Sequence, residues 1–128
     1  MKRRHPERVE DDLRHIAEAV RRVAGYVQPF PNIEAFGKNL QVQDAVVRTV
    51  EIIGEAVRQI DRMAPGFTEQ HPEVQWAQMR RMRNVVVHQY SDVDLKVLWT
   101  TATDDLPKLK RQIDQLLQHR RAAPASRL

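Results

Sequence analysis

The sequence predicts an all-α protein, an antiparallel bundle of four long helices plus a short helical turn. Apolar residues recur at steps of three and four over most of the chain, which is the period of a helix face. No stretch alternates with period two over a useful length, and four glycines are too few for a sheet protein with many turns. Short links separate the periodic segments, as in bundles whose neighbouring helices run in opposite directions.

The first half of the chain predicts two long helices and the short turn between them. The first helix is expected from about Pro6 to Val27, with one apolar and one charged face. The proline-containing segment 28–31 ends it, and Asn32 can cap a short helical turn that leads into the next link. The second long helix is expected from about Leu40 to Met63, where an Ala-Pro-Gly turn closes it.

A glycine lies inside the second helix. Gly54 costs about 1 kcal/mol relative to alanine at such a position, so we interpret it as the site of a close helix crossing. The adjacent Glu55 could be catalytic. A lone carboxylate on a helix is more often solvated or salt-bridged, and that is the interpretation we favour here.

The second half predicts two more long helices. Pro72 is expected at the first position of the third helix, which continues to about His88. Ser91 then offers a hydroxyl N-cap and Asp94 follows three residues later, so the fourth helix is expected from about Asp92.

The fourth helix is expected to run to about Gln118. Pro107 should kink it, because proline removes a backbone hydrogen bond within a helix. Residues 119–128 have no apolar period and are expected to form a mobile tail, so residues 1–118 form the predicted single domain.

Composition excludes several classes of protein. The chain has no cysteine, which excludes a disulfide framework, a thiolate metal site and a cysteine nucleophile. No apolar run approaches the roughly 20 residues of a membrane span, and the charged N-terminus is unlike a signal peptide, so we expect a cytoplasmic protein. The histidines lack metal-ligand spacing and no glycine-rich phosphate loop occurs. We therefore predict no metal and no cofactor.

The net charge of +4 permits an anionic partner without requiring one. Within the third helix, Arg80, Arg81 and Arg83 form a basic cluster beside other reactive groups. Arg80 and Arg81 are candidate residues for binding an RNA backbone.

The segment from Arg83 to Tyr90 contains the groups that cleavage of RNA requires. His88 can move the proton of a 2′-hydroxyl, and Arg83 can stabilise the charge that develops on the phosphate, without a metal. Asn84 could orient the phosphate or the imidazole, and Tyr90 could hydrogen-bond a phosphate. A single helical histidine is also often a packing or surface residue.

Helix geometry leaves two arrangements open. On an unbroken helix Arg83 and Tyr90 lie on nearly the same side, whereas His88 points almost the opposite way. The three can converge in one chain if the helix loosens at its C-terminal end; alternatively, two copies share one site. The consecutive valines 85–87 point to three sides of the helix, which favours a homodimer that covers the surplus apolar surface. The alternative is a deeply buried central helix in a monomer.

Residues 83–90, which read RNVVVHQY, resemble the Arg-x-x-x-x-His-x-Tyr motif of HepT-type toxins in the HEPN superfamily of helical ribonucleases. The resemblance covers about residues 6–118. It includes the following further segments: residues 42–46, residues 51–56, Trp76, residues 91–94 and residues 105–107. Gln89 departs from the pattern, because the family often has glycine between the histidine and the tyrosine.

The resemblance implies a homodimeric bundle whose two motifs line a cleft, and metal-independent cleavage of RNA. His88 would then be the catalytic base or acid, Arg83 the phosphate-stabilising residue and Asn84 a supporting polar residue. It also implies a type VII-like toxin–antitoxin pair in which a minimal nucleotidyltransferase silences the toxin by transferring AMP to Tyr90.

Two other functions remain open. One is a non-catalytic HEPN interaction module that binds a nucleotide or a nucleotidyltransferase. The other is a basic helical protein that binds RNA without cutting it.

Overall fold

The computed structural model describes residues 6–88 and 94–122, and within them the side chains of residues 8–83 and 94–120. These residues are mostly helical and contain no strand, which confirms the predicted all-α class. The helices are α1 (Pro6–Val27), α2 (Ile33–Gly37), α3 (Leu40–Met63), α4 (Trp76–His88), α5 (Leu95–Thr100) and α6 (Leu106–Ala122). A short 3₁₀ helix spans Thr68–Gln70, and a π-helical turn spans Thr101–Asp105.

The first three helices have the predicted bounds, and local capping explains where two of them start. Asn32 accepts a hydrogen bond from the backbone nitrogen of Ala35 at 2.9 Å and so starts α2. Asn39 accepts one from Val42 at 3.0 Å and starts α3. Each asparagine satisfies a backbone N–H that the helix itself leaves unpaired.

The third long helix starts later than the sequence predicts. Pro72 is not its first residue, because α4 begins at Trp76 and the preceding residues form turns. In these turns the backbone nitrogen of Val74 bonds to the carbonyl of His71 at 3.2 Å, and that of Trp76 to the carbonyl of Val74 at 2.9 Å. Val74 is buried by this arrangement, and the indole of Trp76 donates to the same His71 carbonyl. Core contacts therefore replace the first predicted helical turn.

The fourth long helix is divided in the structure. Asp94 itself is the N-cap of α5, with its carboxylate accepting from Lys96 and Val97 at 3.0 and 3.3 Å, so this helix begins at Leu95; the expected start, Asp92, lies outside the described residues. The predicted cap Ser91 lies outside the described residues.

A π-helical turn joins α5 to α6 directly before Pro107. The wider turn accommodates a proline that would otherwise clash with the carbonyl four residues earlier. The helix irregularity expected at Pro107 thus takes the form of a π turn before it. The last helix, α6, continues beyond the expected end at Gln118 to Ala122. The last residues of the expected mobile tail, 123–128, lie outside the described residues.

The helices pack around one apolar core. α3 contacts both α1 and α4, and α1 also contacts α6. Contacts from Glu55 to Arg83 and from Asp61 to Arg80 show that α3 and α4 run antiparallel, since the numbers rise on one helix as they fall on the other. Trp76, Met79 and Met82 face the core from α4. No helix within the described ranges is both long and apolar enough to cross a membrane.

Candidate active site at the crossing of α3 and α4

Arg83 lies where α4 crosses α3 at Gly54. A Cβ atom added to Gly54 would lie 2.5 Å from the Cβ of Arg83 and 3.0 Å from its backbone nitrogen, which no real side chain tolerates. Only glycine allows this approach. The interpretation of Gly54 as a crossing point is therefore confirmed, and the crossing fixes the base of the Arg83 side chain.

The other end of Arg83 meets a carboxylate from α3. Its Nε lies 3.2 Å from Oε1 of Glu55, and Oε2 of Glu55 lies 3.6 Å from Nη2 of Arg62. The side chains of Arg83 and Glu55 are 38% and 46% exposed, so the pair lies at the surface. Glu55 is thus salt-bridged, as expected, but one of its partners is the principal candidate for phosphate stabilisation.

An open groove of about 610 Å³ lies beside this pair, between α1 and α3. Arg83 and Glu55 form part of its wall. Polar and charged residues line most of the rest, namely Asp12, His15, Arg48, Glu51 and Gln59, together with Ile52 and Ala56.

Partial burial raises the pKa of Asp12 above its ordinary value, although nearby His15 opposes that shift. The groove thus contains both acidic and basic side chains beside the Arg83 guanidinium.

Arg80, one turn before Arg83, is bound into the scaffold. Its Nε and Nη2 donate to the two oxygens of Asp61 at 2.8 and 2.9 Å, and Nη2 also donates to Oγ1 of Thr68 at 2.8 Å. The hydrogen bond to Asp61 raises the pKa of Arg80 above its usual value. Arg81, by contrast, is exposed.

The other predicted site residues are described in part or not at all. Asn84, His88 and the valines 85–87 lie in α4, but their side chains are outside the described set. Tyr90 lies outside the described residues altogether. Within the part of the chain that is described, no three His, Asp or Glu residues are grouped so that they could hold a metal ion.

The backbone of α4 constrains how Arg83 and His88 can cooperate. The helix continues through His88, so these two positions are five residues apart on one regular helix. At 100° per residue their Cα atoms are about 140° apart around the axis. Because both positions lie within this helix, loosening beyond His88 would not bring their Cα atoms closer together.

Comparison with known proteins identifies the family. A model of the family described as "Ribonuclease HepT-like" matches residues 16–116. The chain belongs to the HepT-like family. It is 39% identical over 116 residues to a protein of Thermococcus cleftensis named "Probable ribonuclease HepT", covering 91% of this chain and 98% of that one.

More distant relatives bear similar names. A candidate RNase of Caldanaerobacter subterraneus is 34% identical over 87 residues, which cover 68% of this chain and 75% of the relative. A candidate RNase of Methanocaldococcus jannaschii is 38% identical over 79 residues, covering 62% and 70%. No solved structure matches the chain significantly.

The sequence did not reveal the groove. Asp12 and His15 lie on α1, whereas the residues they meet across the groove lie on α3 and α4. One signal was available, since Glu51 and Glu55 lie one turn apart on the same side of α3, flanking the glycine at the crossing. This spacing does not indicate which residue of α4 lies beside the two glutamates.

Proposed function

We propose that this chain is a metal-independent endoribonuclease in which Arg83 stabilises the reacting phosphate and His88 transfers protons. The observation that carries the proposal is the position of Arg83. The crossing at Gly54 holds it at the edge of a polar groove with its guanidinium accessible. The full-length similarity to a protein named as a probable ribonuclease HepT supports the same activity.

The proposed chemistry is transesterification. His88 removes the proton of a ribose 2′-hydroxyl, and the oxygen attacks the adjacent phosphorus. The bond to the 5′-oxygen breaks, and that oxygen takes up a proton to leave a 5′-hydroxyl and a 2′,3′-cyclic phosphate. Arg83 stabilises the negative charge on the phosphoryl oxygens, and Asn84 supports the phosphate or the imidazole.

A homodimer with a shared cleft suits this chemistry. Because α4 is helical through His88, Arg83 and His88 of one chain occupy well-separated sides of one helix. A second copy facing the first would supply His88 to Arg83 across a twofold axis. The valines 85–87 would then contribute to the interface.

Basic residues beside the site are proposed to hold the RNA backbone. Arg81 is exposed and suits that role directly. Arg80 is already bound to Asp61 and Thr68, and Asp61 offsets its charge, so it would hold RNA only where a phosphate displaces that carboxylate.

We further propose that the protein is the toxin of a type VII-like toxin–antitoxin pair. Its partner would be a minimal nucleotidyltransferase that transfers AMP to the hydroxyl of Tyr90. An added adenylyl group brings negative charge and bulk to a basic surface, and both would exclude RNA.

The test is RNA cleavage by the purified protein in EDTA. We expect the wild type to cut a mixed-sequence RNA, with cyclic phosphate at the new 3′ ends, and we expect His88→Ala to lose this activity. Uncut RNA with unmodified wild type, whose intact mass shows no adenylyl group, would overturn the proposal.

A second measurement addresses the partner. After co-expression with a minimal nucleotidyltransferase, the intact mass should rise by one or more adenylyl groups, and Tyr90→Phe should abolish the increase. Modification of Tyr90 in the co-expressed protein, together with uncut RNA in the unmodified wild type, would instead favour the non-catalytic interaction module.

A further inference from the structure

The ion pair between Glu55 and the candidate catalytic arginine is formed at the Nε side of the guanidinium. Its carboxylate reaches Nε of Arg83 at 3.2 Å. Among the described residues, no hydrogen bond occupies the terminal nitrogens of that guanidinium. Since a guanidinium can present its two terminal nitrogens as a fork to phosphate, the contact with Glu55 leaves the recognition edge available.

The Arg83 side chain is restrained at both ends. At its base, the backbone of α4 lies against Gly54 so closely that no Cβ atom fits between them. At its tip, the neighbouring residue Glu55 binds Nε. Two consecutive residues of α3 therefore set both the origin and the direction of one long side chain, which would otherwise sample many rotamers.

The carboxylate does not cancel the positive charge of the site. Glu55 is shared between Arg83 and Arg62, so this group of three contains two guanidiniums and one carboxylate. One net positive charge remains within this group of three, beside a groove to which Asp12, Glu51 and Arg48 also contribute charge. An unshared Glu55 would neutralise Arg83 and oppose the incoming anion.

We propose that Glu55 is a positioning residue for RNA cleavage, holding Arg83 by Nε so that its terminal nitrogens face the reacting phosphate. This inference rests on the proposed ribonuclease function. Its consequence is that Glu55 affects turnover more than binding, because a misdirected guanidinium still attracts RNA but fits the transition state poorly.

The experiment compares Glu55→Ala and Glu55→Gln with the wild type in steady-state cleavage of one RNA in EDTA. We expect Glu55→Ala to lower kcat about 10-fold with KM nearly unchanged, because the arginine loses its orientation. Glu55→Gln keeps an oxygen that can accept from Nε, and it should restore most of the turnover. Circular dichroism at the assay temperature gives the folded fraction of each variant.

Glu18→Ala is the matched control. Glu18 also forms an exposed pair with an arginine, Arg21, at 2.7 Å, and its side chain is 51% exposed, close to the 46% of Glu55. It lies on α1 one turn beyond His15 and is not among the residues that line the groove. Its loss should leave both kcat and KM as in the wild type.

Three results would overturn the inference. Glu55→Ala could match Glu18→Ala in both constants, or it could raise KM alone, which would indicate a role in binding. It could also bind RNA more tightly and turn over faster, which would show that Glu55 competes with phosphate for Arg83.

Arg83→Ala separates this failure from failure of the ribonuclease proposal. If the wild type cuts RNA and Arg83→Ala does not, the proposed function stands whatever Glu55 does. If Arg83→Ala cuts as well as the wild type, the proposed function fails first.

Discussion

Arg80 and Arg83 lie one turn apart on α4, and each contacts a carboxylate of α3, but the two contacts differ. Arg80 uses Nε and Nη2 on both oxygens of Asp61 and adds a bond to Thr68. Arg83 approaches Glu55 with Nε, at 3.2 Å, as an ion pair without the two hydrogen bonds that Arg80 donates to Asp61. The first arrangement consumes the planar fork of the guanidinium, and the second preserves it. Two arginines of one helix can thus serve different purposes.

The helix crossing explains part of the difference. Next to Arg83 the backbones of α3 and α4 approach at a glycine, which leaves little depth for a carboxylate to meet the guanidinium face to face. Arg80 instead meets Asp61 near the end of α3, where the 3₁₀ helix supplies Thr68 as a further acceptor. Similar solvent exposure, 38% for both arginine side chains, shows that burial does not distinguish them.

The largest expected effect is that of Arg83→Ala on RNA cleavage. Removing a charged donor from a phosphoryl-transfer site costs about 10²–10³ in kcat, so we expect a loss of that size. The thermal unfolding midpoint of Arg83→Ala should differ little from that of the wild type, because an exposed ion pair contributes at most about 1 kcal/mol to the free energy of unfolding. Initial rates in EDTA and a thermal melt measure the two effects. A large drop in the midpoint would show that Arg83 has a structural role instead.

Gly54→Ala tests the crossing itself. The added methyl group would overlap Arg83, and overpacking of this kind costs about 1–3 kcal/mol. That cost outweighs the gain of roughly 1 kcal/mol in helix propensity. We therefore expect a lower free energy of unfolding in urea and a loss of cleavage.

Gly25→Ala provides the control for that substitution. Nothing lies within 4 Å of a Cβ added to Gly25, which is also within a helix. This variant should be more stable than the wild type by up to about 1 kcal/mol. Equal effects of the two substitutions would contradict the close approach at Gly54.

Arg80→Gln should have the opposite profile to Arg83→Ala. The loss of the bonds to Asp61 and Thr68 should lower the free energy of unfolding by about 1 kcal/mol or less, since the pair is partly exposed. Cleavage, corrected for the folded fraction, should fall less than in Arg83→Ala. A selective rise in KM would instead support direct binding of RNA by Arg80.

The smallest expected effect concerns Asp12, which lines the groove beside Arg83. Burial raises its pKa above the ordinary 3.8, so its ionised form is less stable in the folded chain than in the unfolded chain. The penalty is absent below pH 3.8 and grows as the pH rises through the raised pKa. Asp12→Asn should therefore raise the thermal midpoint at pH 7 but not at pH 3. An equal increase in the thermal midpoint at both pH values would contradict a penalty that comes from ionising Asp12.

Periodicity and capping chemistry in the sequence determined much of the fold. The apolar steps of three and four located α1 and α3, and Asn32 and Asn39 start the helices that follow them. These signals are local, because a cap or a helix face depends only on residues a few positions apart. Local signals also suggested that Gly54 marks a crossing.

Where local signals competed with the core, the core decided. Pro72 suits a helix start, but burial of Val74 and the hydrogen bond from Trp76 to the His71 carbonyl delay α4. Pro107 predicts a disturbance, but its form as a π turn depends on how the flanking helices α5 and α6 remain packed.

The sequence by itself also determined the candidate chemistry, since Arg83 and His88 were identified from their types and spacing and from family resemblance. Only the tertiary structure decided which carboxylate meets which arginine. The pairs Arg83 with Glu55 and Arg80 with Asp61 depend on how α3 and α4 are aligned along each other. That alignment is set by packing at Gly54, between residues 29 positions apart, where neither helix period nor capping carries information.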